Sequence, residues 1–385
     1  MFKCNGNCIT CGKCANAAIL EKFDAGAWGR EPRDGYGIAI DIGTTTVVLA
    51  LINLHTGDVM LRHSLMNPQR AFGPDVISRI DAANKGHLNE LCQMIREAVS
   101  RGITTLIKAG GVSSGDIIDM AVACNTVMAY LLLGFPCESL GVMPFKPAYS
   151  MEAHYDSAEL FPSLGLECMV KVIPWVAAYV GGDITAGLLH VLPEGKNRFM
   201  LMDLGTNGEI ALYDNGRLVV TATAAGPAFE QPVAEFQAAS WVVSALAKLV
   251  REEIVDESGF LEREDVFTQR QIRDLQLAKS AIRSGLEVLL EFCGYTRHHL
   301  DAVYLAGGIG QAMNVKDAVD IGLIPQELEE KAYPVGNTAL GGAAALLASP
   351  SKTAADIQKL LFRAEEINLA AYPKFNDYFM DYMAF

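Results

Sequence analysis

Two stretches of this chain echo one another, and the echo constrains the fold more than any single property does. Ile38–Ile52 reads IAIDIGTTTVVLALI and Phe199–Tyr213 reads FMLMDLGTNGEIALY; each is an apolar strand, a turn built on Asp-x-Gly-Thr and a second strand. The motifs begin at Asp41 and Asp203, 162 residues apart, which predicts two subdomains of similar plan. From Gly35 onward apolar β-like runs alternate with longer helical patterns, the order of an α/β architecture. Periodicity predicts helix within Val76–Arg101, then a strand at Ile117–Ala123 running into Cys124-Asn125-Thr126 and an apolar helix. In the second half it predicts a long amphipathic helix over Gln269–Leu290, a buried strand at Ala302–Leu305 and a glycine turn at Gly307–Gly310 opening onto a helix. A last apolar helix follows Gly336-Asn337-Thr338, and the aromatic-rich end from Tyr372 reads as a helix packed on the body.

A hairpin turn carrying Asp, Gly and Thr suits phosphate chemistry. Successive backbone N–H groups can face a phosphate while the carboxylate holds Mg²⁺ directly or through water. Two such turns facing each other would grip a triphosphate, and a glycine-rich strand-to-helix turn would let adenosine lie on bare backbone. A single Asp-x-Gly-Thr is an ordinary hairpin turn; two copies with a glycine turn point to a nucleotide site assembled from three segments. The chain has no Gly-x4-Gly-Lys-Ser/Thr loop, and Gly308–Met313 has Met where a dinucleotide fingerprint needs its third Gly.

Composition narrows the partners. With 385 residues the chain has room for two or three domains. Its 31 Lys and Arg against 45 Asp and Glu give a net charge of −14, which disfavours nucleic acid and anionic membrane surfaces as partners. Ala339–Ala348 and Val127–Phe135, the most apolar runs, fall short of the roughly 20 residues that span a bilayer, and the N-terminus lacks the apolar core of a signal peptide. A cytoplasmic location is the expectation.

Four of nine cysteines crowd into the first residues as Cys4-x3-Cys8-x2-Cys11-x2-Cys14, with Gly6 and Gly12 permitting tight turns. In a reducing compartment such clustering points to metal ligation, and the short spacing suits a [4Fe–4S] cluster better than paired zinc knuckles. Zinc, a [2Fe–2S] cluster, a cluster shared across a homodimer and no metal at all stay open on spacing alone. Cys92, Cys124, Cys137, Cys168 and Cys293 are scattered and read as small buried hydrophobes.

With these residues in hand, the body of the chain resembles the C-terminal ATPase domain of the reductive activators of corrinoid proteins, within the acetate and sugar kinase/Hsp70/actin superfamily. The resemblance is carried by DIGTTTVV at Asp41–Val48, NPQRAFGPDVISRI at Asn67–Ile80, YVGGDITAG at Tyr179–Gly187, DLGTNGEIAL at Asp203–Leu212 and AAGPAFE at Ala224–Glu230. RDLQLAKSAIRSG at Arg273–Gly285, LAGGIG at Leu305–Gly310 and VGNTALGGA at Val335–Ala343 complete it. It implies a two-subdomain actin/Hsp70-like ATPase fold behind a Cys-rich segment: 1–16 for the cysteines, 17–35 a linker, 36–185 and 186–348 the subdomains, and 349–385 a helical tail. It implies ATP and Mg²⁺ as ligands, with Asp41, Asp203 and Glu209 in catalytic roles, Glu209 orienting the attacking water or capping a strand. Nucleotide contacts fall on Gly43, Thr44, Thr45, Thr46, Asn125, Gly205, Thr206, Asn207, Gly208, Gly226, Gly307, Gly308, Gly310, Gln311 and Asn337.

The resemblance further implies a [4Fe–4S] cluster on Cys4, Cys8, Cys11 and Cys14, and ATP-driven electron transfer from it to the Co(II) corrinoid of a methyltransferase-system protein. A corrinoid protein and an electron donor such as a reduced ferredoxin are the implied partners. Two departures stand out. Many relatives carry a full ferredoxin-like domain where this chain has about sixteen residues, and after AAGPAFE the chain reads Gln231-Pro232-Val233-Ala234-Glu235-Phe236 in place of a Gly- and Met-containing segment. Competing readings are an activator of a 2-hydroxyacyl-CoA dehydratase, a metabolite kinase and a nucleotide-responsive zinc-binding regulator.

Overall fold

The computed structural model describes residues 30–149, 154–205, 207–226, 228–230, 239–310 and 313–385. They form two compact units, and the chain visits each twice: residues up to Pro193 belong with Thr338–Lys359, and Glu194–Asn337 with Leu360–Phe385. The expected boundaries, 36–185 and 186–348, assumed each subdomain to be one continuous stretch. The structure departs from that because two apolar helices distant in sequence, Gly182–Val191 and Thr338–Ala348, pack on each other in the first unit.

The first unit is built on a six-stranded sheet of β1 (Tyr36–Ile42), β2 (Thr46–Asn53), β3 (Val59–Met66), β4 (Ile117–Cys124), β5 (Tyr155–Asp156) and β6 (Met169–Val172), in the order β3-β2-β1-β4-β6-β5. β1, β2 and β3 form an antiparallel meander, and β4 and β6 continue the sheet in parallel. The second unit repeats this plan with β7 (Arg198–Leu204), β8 (Gly208–Asp214), β9 (Arg217–Thr223), β10 (Ala302–Ala306), β11 (Ala332–Gly336) and β12 (Ala364–Glu366), in the order β11-β10-β7-β8-β9-β12. The meander β7-β8-β9 matches β1-β2-β3, and the parallel β10 and β11 match β4 and β6. The echo in the sequence is thus a repeat of topology. Asp41 pairs with Ala123 of the parallel neighbour and Asp203 with Ala306, so both aspartates stand at the same place in their sheets.

Helices cover these sheets. α1 (Val76–Ala82) and α2 (Leu88–Gly110) divide the predicted Val76–Arg101 helix, because Gly86 between them takes a left-handed φ of 102°. α2 buries Leu91, Ile95, Val99, Ile103 and Leu106, a stripe at helical spacing. α3 (Thr126–Leu133) is buried nearly all round and is capped by Asn125, whose side-chain oxygen accepts from the Met128 N–H at 2.9 Å. α4 (Gly182–Val191) and, later in the chain, the helix Thr338–Ala348 complete this layer.

In the second unit lie α5 (Ala239–Arg251), α6 (Gln269–Phe292) and α7 (Val315–Asp320). α6 opens on a capping box between Thr268 and Gln271 and matches the predicted helix over Gln269–Leu290. α8 (Thr338–Ala348) and α9 (Pro350–Phe362) follow, and α10 (Phe375–Asp381) closes the chain. α10 packs on α6, as the aromatic spacing predicts, and the contact is largely polar: Gln276 donates to the Met383 carbonyl at 3.2 Å, while Lys279 and Ser280 donate to those of Ala384 and Phe379. Gln276, Lys279, Ser280 and Arg283 of α6 are consequently buried. Among the described residues no helix is long and apolar enough to cross a membrane.

Candidate nucleotide-binding turns

In the first unit the turn Gly43–Thr45 joins β1 to β2, closed by the Gly43 N–H donating to the Thr46 carbonyl at 2.9 Å. Its other carbonyls are held from behind. Asn67 donates from Nδ2 to Gly43 O at 2.9 Å and from its backbone N–H to Thr45 O at 3.0 Å, and Arg79 donates from Nη2 to Thr44 O at 2.5 Å. Asn125 Nδ2 donates to Thr44 Oγ1 at 3.1 Å, which ties the turn to the cap of α3. Asp41, Gly43, Thr44, Thr45, Thr46 and Asn125 therefore lie together at one end of the first sheet.

A further carboxylate belongs to this cluster. A Cβ on Gly181 would overlap Asn125 Cα and the Thr126 N–H, so only glycine allows α4 to start against the β4–α3 junction. That approach desolvates the partly buried Asp183, which pushes its carboxyl up to about 6 although Ile184 N–H donates to it at 2.8 Å. The Cys124 thiol is pushed well above its ordinary value, first by burial and then by the charges of Asp183 and Asp41, so both carboxylates act on one point. Sequence reasoning quoted the segments containing Asp183, Asn67 and Arg79 without giving them a role. The signals were present: Gly-Gly-Asp at a helix start, and an Arg between the apolar Val76 and Ile80 on a buried helix face.

In the second unit the equivalent turn joins β7 to β8 and is closed by Gly205 N–H donating to Asn207 O at 3.0 Å. Asp203 and Glu209 are direct cross-strand partners, which puts two carboxylates on one face of the sheet. Like charges so placed repel, and an ordinary structural hairpin avoids them. Gly307 follows β10 with φ of 80°, and a Cβ there would strike Asp203 Oδ1. Asp203, Gly205, Asn207, Gly208, Glu209 and Gly307 thus cluster.

Gly308 and Gly310 lie in the single helical turn Gly307–Gly310, and among the described residues outside its chain neighbours and its own helical turn nothing lies within 4 Å of where a Cβ on Gly308 would stand. Gly226 has φ of 67° beyond β9, and Asn337 follows Gly336, the partner of Ala306. Thr206 and Gln311 lie outside the described residues.

Cys4, Cys8, Cys11 and Cys14 also lie outside the described residues. Of the other five cysteines, Cys92, Cys124, Cys137 and Cys168 are buried and Cys293 partly so, and burial raises every one of these thiols, as small hydrophobic residues require. Among the described residues no group of three or more His, Cys, Asp or Glu is arranged to hold a metal ion.

Comparison with known proteins covers nearly the whole body of the chain. A family profile described as the RACo middle region matches residues 36–192, and one described as the C-terminal domain of RACo, the ASKHA domain, matches 197–246 and 250–385. The chain is 31% identical to the corrinoid activation enzyme RamQ of Eubacterium limosum, over 90% of this chain and 69% of that protein. It is 23% identical to a [Co(II) methylated amine-specific corrinoid protein] reductase of Methanosarcina barkeri, over 90% of this chain and 76% of that one. A solved reductive activator for corrinoid, iron–sulfur protein superposes with a TM-score of 0.82 at 30% identity, covering 92% of this chain and 67% of the other. The two sheets of repeated topology, each with an acidic turn, are accordingly those of an actin- and sugar-kinase-like ATPase fold, and the chain belongs to the family of reductive activators of corrinoid proteins.

Proposed function

We propose that the chain is an ATP-dependent reductive activator that restores a partner's inactive Co(II) corrinoid to Co(I). The observation that carries this reading is the pair of equivalent acidic hairpin turns, at Asp41–Thr46 and Asp203–Glu209, in a chain matched almost throughout by the family's own profiles. Asp41 and Asp203 are the carboxylates for Mg²⁺, Glu209 orients the attacking water, and amides of Gly43–Thr46 and Gly205–Gly208 contact phosphates. The absence of a side chain at Gly308, with no described residue outside its own turn crowding that position, suits adenosine on bare backbone. Asn125, Gly226, Gly310, Gln311 and Asn337 complete the nucleotide contacts.

Cys4, Cys8, Cys11 and Cys14 have the donor chemistry for a [4Fe–4S] cluster, which when bound supplies one low-potential electron per Co(II) reduced, drawn from a donor such as a reduced ferredoxin. ATP acts through conformation and is not a phosphoryl donor to a metabolite. The test is anaerobic purification with iron, sulfide and zinc analysis and EPR after reduction, followed by optical detection of Co(I) in a corrinoid protein mixed with this chain and reductant. About four irons and four sulfides, and Co(I) that accumulates only with ATP, are expected. Zinc in place of iron, or reduction equally complete without ATP, overturns the reading.

A further inference from the structure

Arg79 is fully buried in α1, yet no ion pair joins it to a carboxylate among the described residues. Its guanidinium donates to Thr44 O at 2.5 Å, to Gly73 O at 3.3 Å and to Met128 Sδ at 3.3 Å. Asp75, whose charge reaches it, is already engaged as the cap of α1, accepting from Ser78 N–H at 2.8 Å. Burial lowers the guanidinium only to about 10, so it stays charged at neutral pH. Burying a cation without its counter-ion is costly, and an anion bound nearby would offset that cost.

Peptide geometry shows where that anion would sit. In a trans peptide the carbonyl of one residue and the N–H of the next point to opposite sides. Asn67 holds Gly43 O and Arg79 holds Thr44 O, so the N–H groups of Thr44 and Thr45 are turned away from Asn67 and Arg79. We infer that Arg79 is a positioning residue for phosphate: it fixes the 43–46 turn with two amides aimed at the anion and places a buried positive charge behind them. The inference rests on the nucleotide reading given above.

Its test uses the full chain. Affinities for MgATP and for adenosine are measured by calorimetry on wild type, Arg79→Met and Arg79→Lys, with the ligand-free melting temperature of each. Arg79→Met is expected to lose at least tenfold in ATP affinity while adenosine affinity stays within twofold. Arg79→Lys, which keeps the charge and loses the planar donor set, is expected to fall between. Equal losses for the two ligands, or no loss, overturn the assignment and leave the nucleotide reading standing.

Where the variants do not fold, amide hydrogen exchange on wild type decides. ATP, and not adenosine, is expected to slow exchange in peptides covering 43–46, and unchanged exchange in a chain that binds ATP overturns the role of Arg79. A wild type that binds neither ligand overturns the nucleotide reading and this inference together.

Discussion

Asp183 and His190, both largely desolvated on α4 though not fully inaccessible, pull stability in opposite directions as pH changes. Burial raises the Asp183 carboxyl to about 6, so the folded chain holds that proton more tightly than the unfolded chain; the contribution is complete below the ordinary carboxylate pKa and lost as pH rises through 6. Burial lowers the His190 imidazole to about 4, the Arg62 charge adding to the effect. The folded chain therefore sheds this proton more readily, and the contribution is complete above the ordinary imidazole pKa and lost as pH falls through 4. Each amounts to about 3 kcal/mol. Relative to wild type, Asp183→Asn should gain stability at pH 7 and converge with it near pH 4, while His190→Gln should gain near pH 4 and converge at pH 7. Melting curves across that range check this, and parallel profiles would contradict it.

Neither residue was singled out from the sequence. A lone Asp or His in an apolar helix carries no local mark of desolvation; His190 is covered by α8, some 150 residues further on, and Asp183 by the approach of α4 to the β4–α3 junction. Asp41 and Asp203 were legible because the Asp-x-Gly-Thr turn is a local signal, repeated twice.

At the scale of elements, α4 and α8 approach so closely that a Cβ on Gly342 would overlap the Ala186 backbone. Backbone cannot rotate aside as a side chain can, so Gly342→Ala should cost about 3 kcal/mol or more, read as a fall in the melting temperature. A second element-scale prediction concerns Asp119 on β4. Nearly inaccessible, it accepts from Arg33 at 2.7 Å and from Lys171, and Arg33 also donates to the Leu347 carbonyl at 2.7 Å. Asp119→Asn leaves two cations facing a neutral group and should destabilise the first unit by about 3 kcal/mol, measured by denaturant unfolding.

Element identity was largely readable from periodicity: the hairpins, α3, α6 and α8 stand where the apolar spacing and capping residues place them. The break between α1 and α2 at Gly86 was not, because an isolated glycine is tolerated inside a helical pattern and nothing local in the sequence announces its left-handed φ. The polar row on α6 was also opaque, since Gln276, Lys279, Ser280 and Arg283 read as a solvated face until α10 covers them.

Across the whole molecule, the proposed function assigns electron transfer and nucleotide binding to different parts of the chain, and one substitution should separate them. Cys11→Ser is expected to abolish ATP-dependent formation of Co(I) while leaving ATP affinity within twofold of wild type. Binding assays beside the optical assay check it, and undiminished Co(I) formation would exclude the cysteine cluster from the electron path. The family was legible in the sequence through motifs spread over nearly the whole body, whereas the discontinuous make-up of the units was not. No local pattern announces that Thr338–Lys359 returns to a unit whose earlier part ends at Pro193.

That return has a consequence for biosynthesis. α4 and the first sheet leave the ribosome complete by Val191, but α8, which covers them, is not translated until the intervening stretch of chain has been made. At about 5–20 residues per second, that delay is ~7–30 s, long against the collapse of a small apolar surface. For that interval the nascent first unit shows an uncovered apolar face, so newly made protein should depend on chaperones at this stage. A fragment ending at Val191 should accordingly precipitate, where the full chain would not.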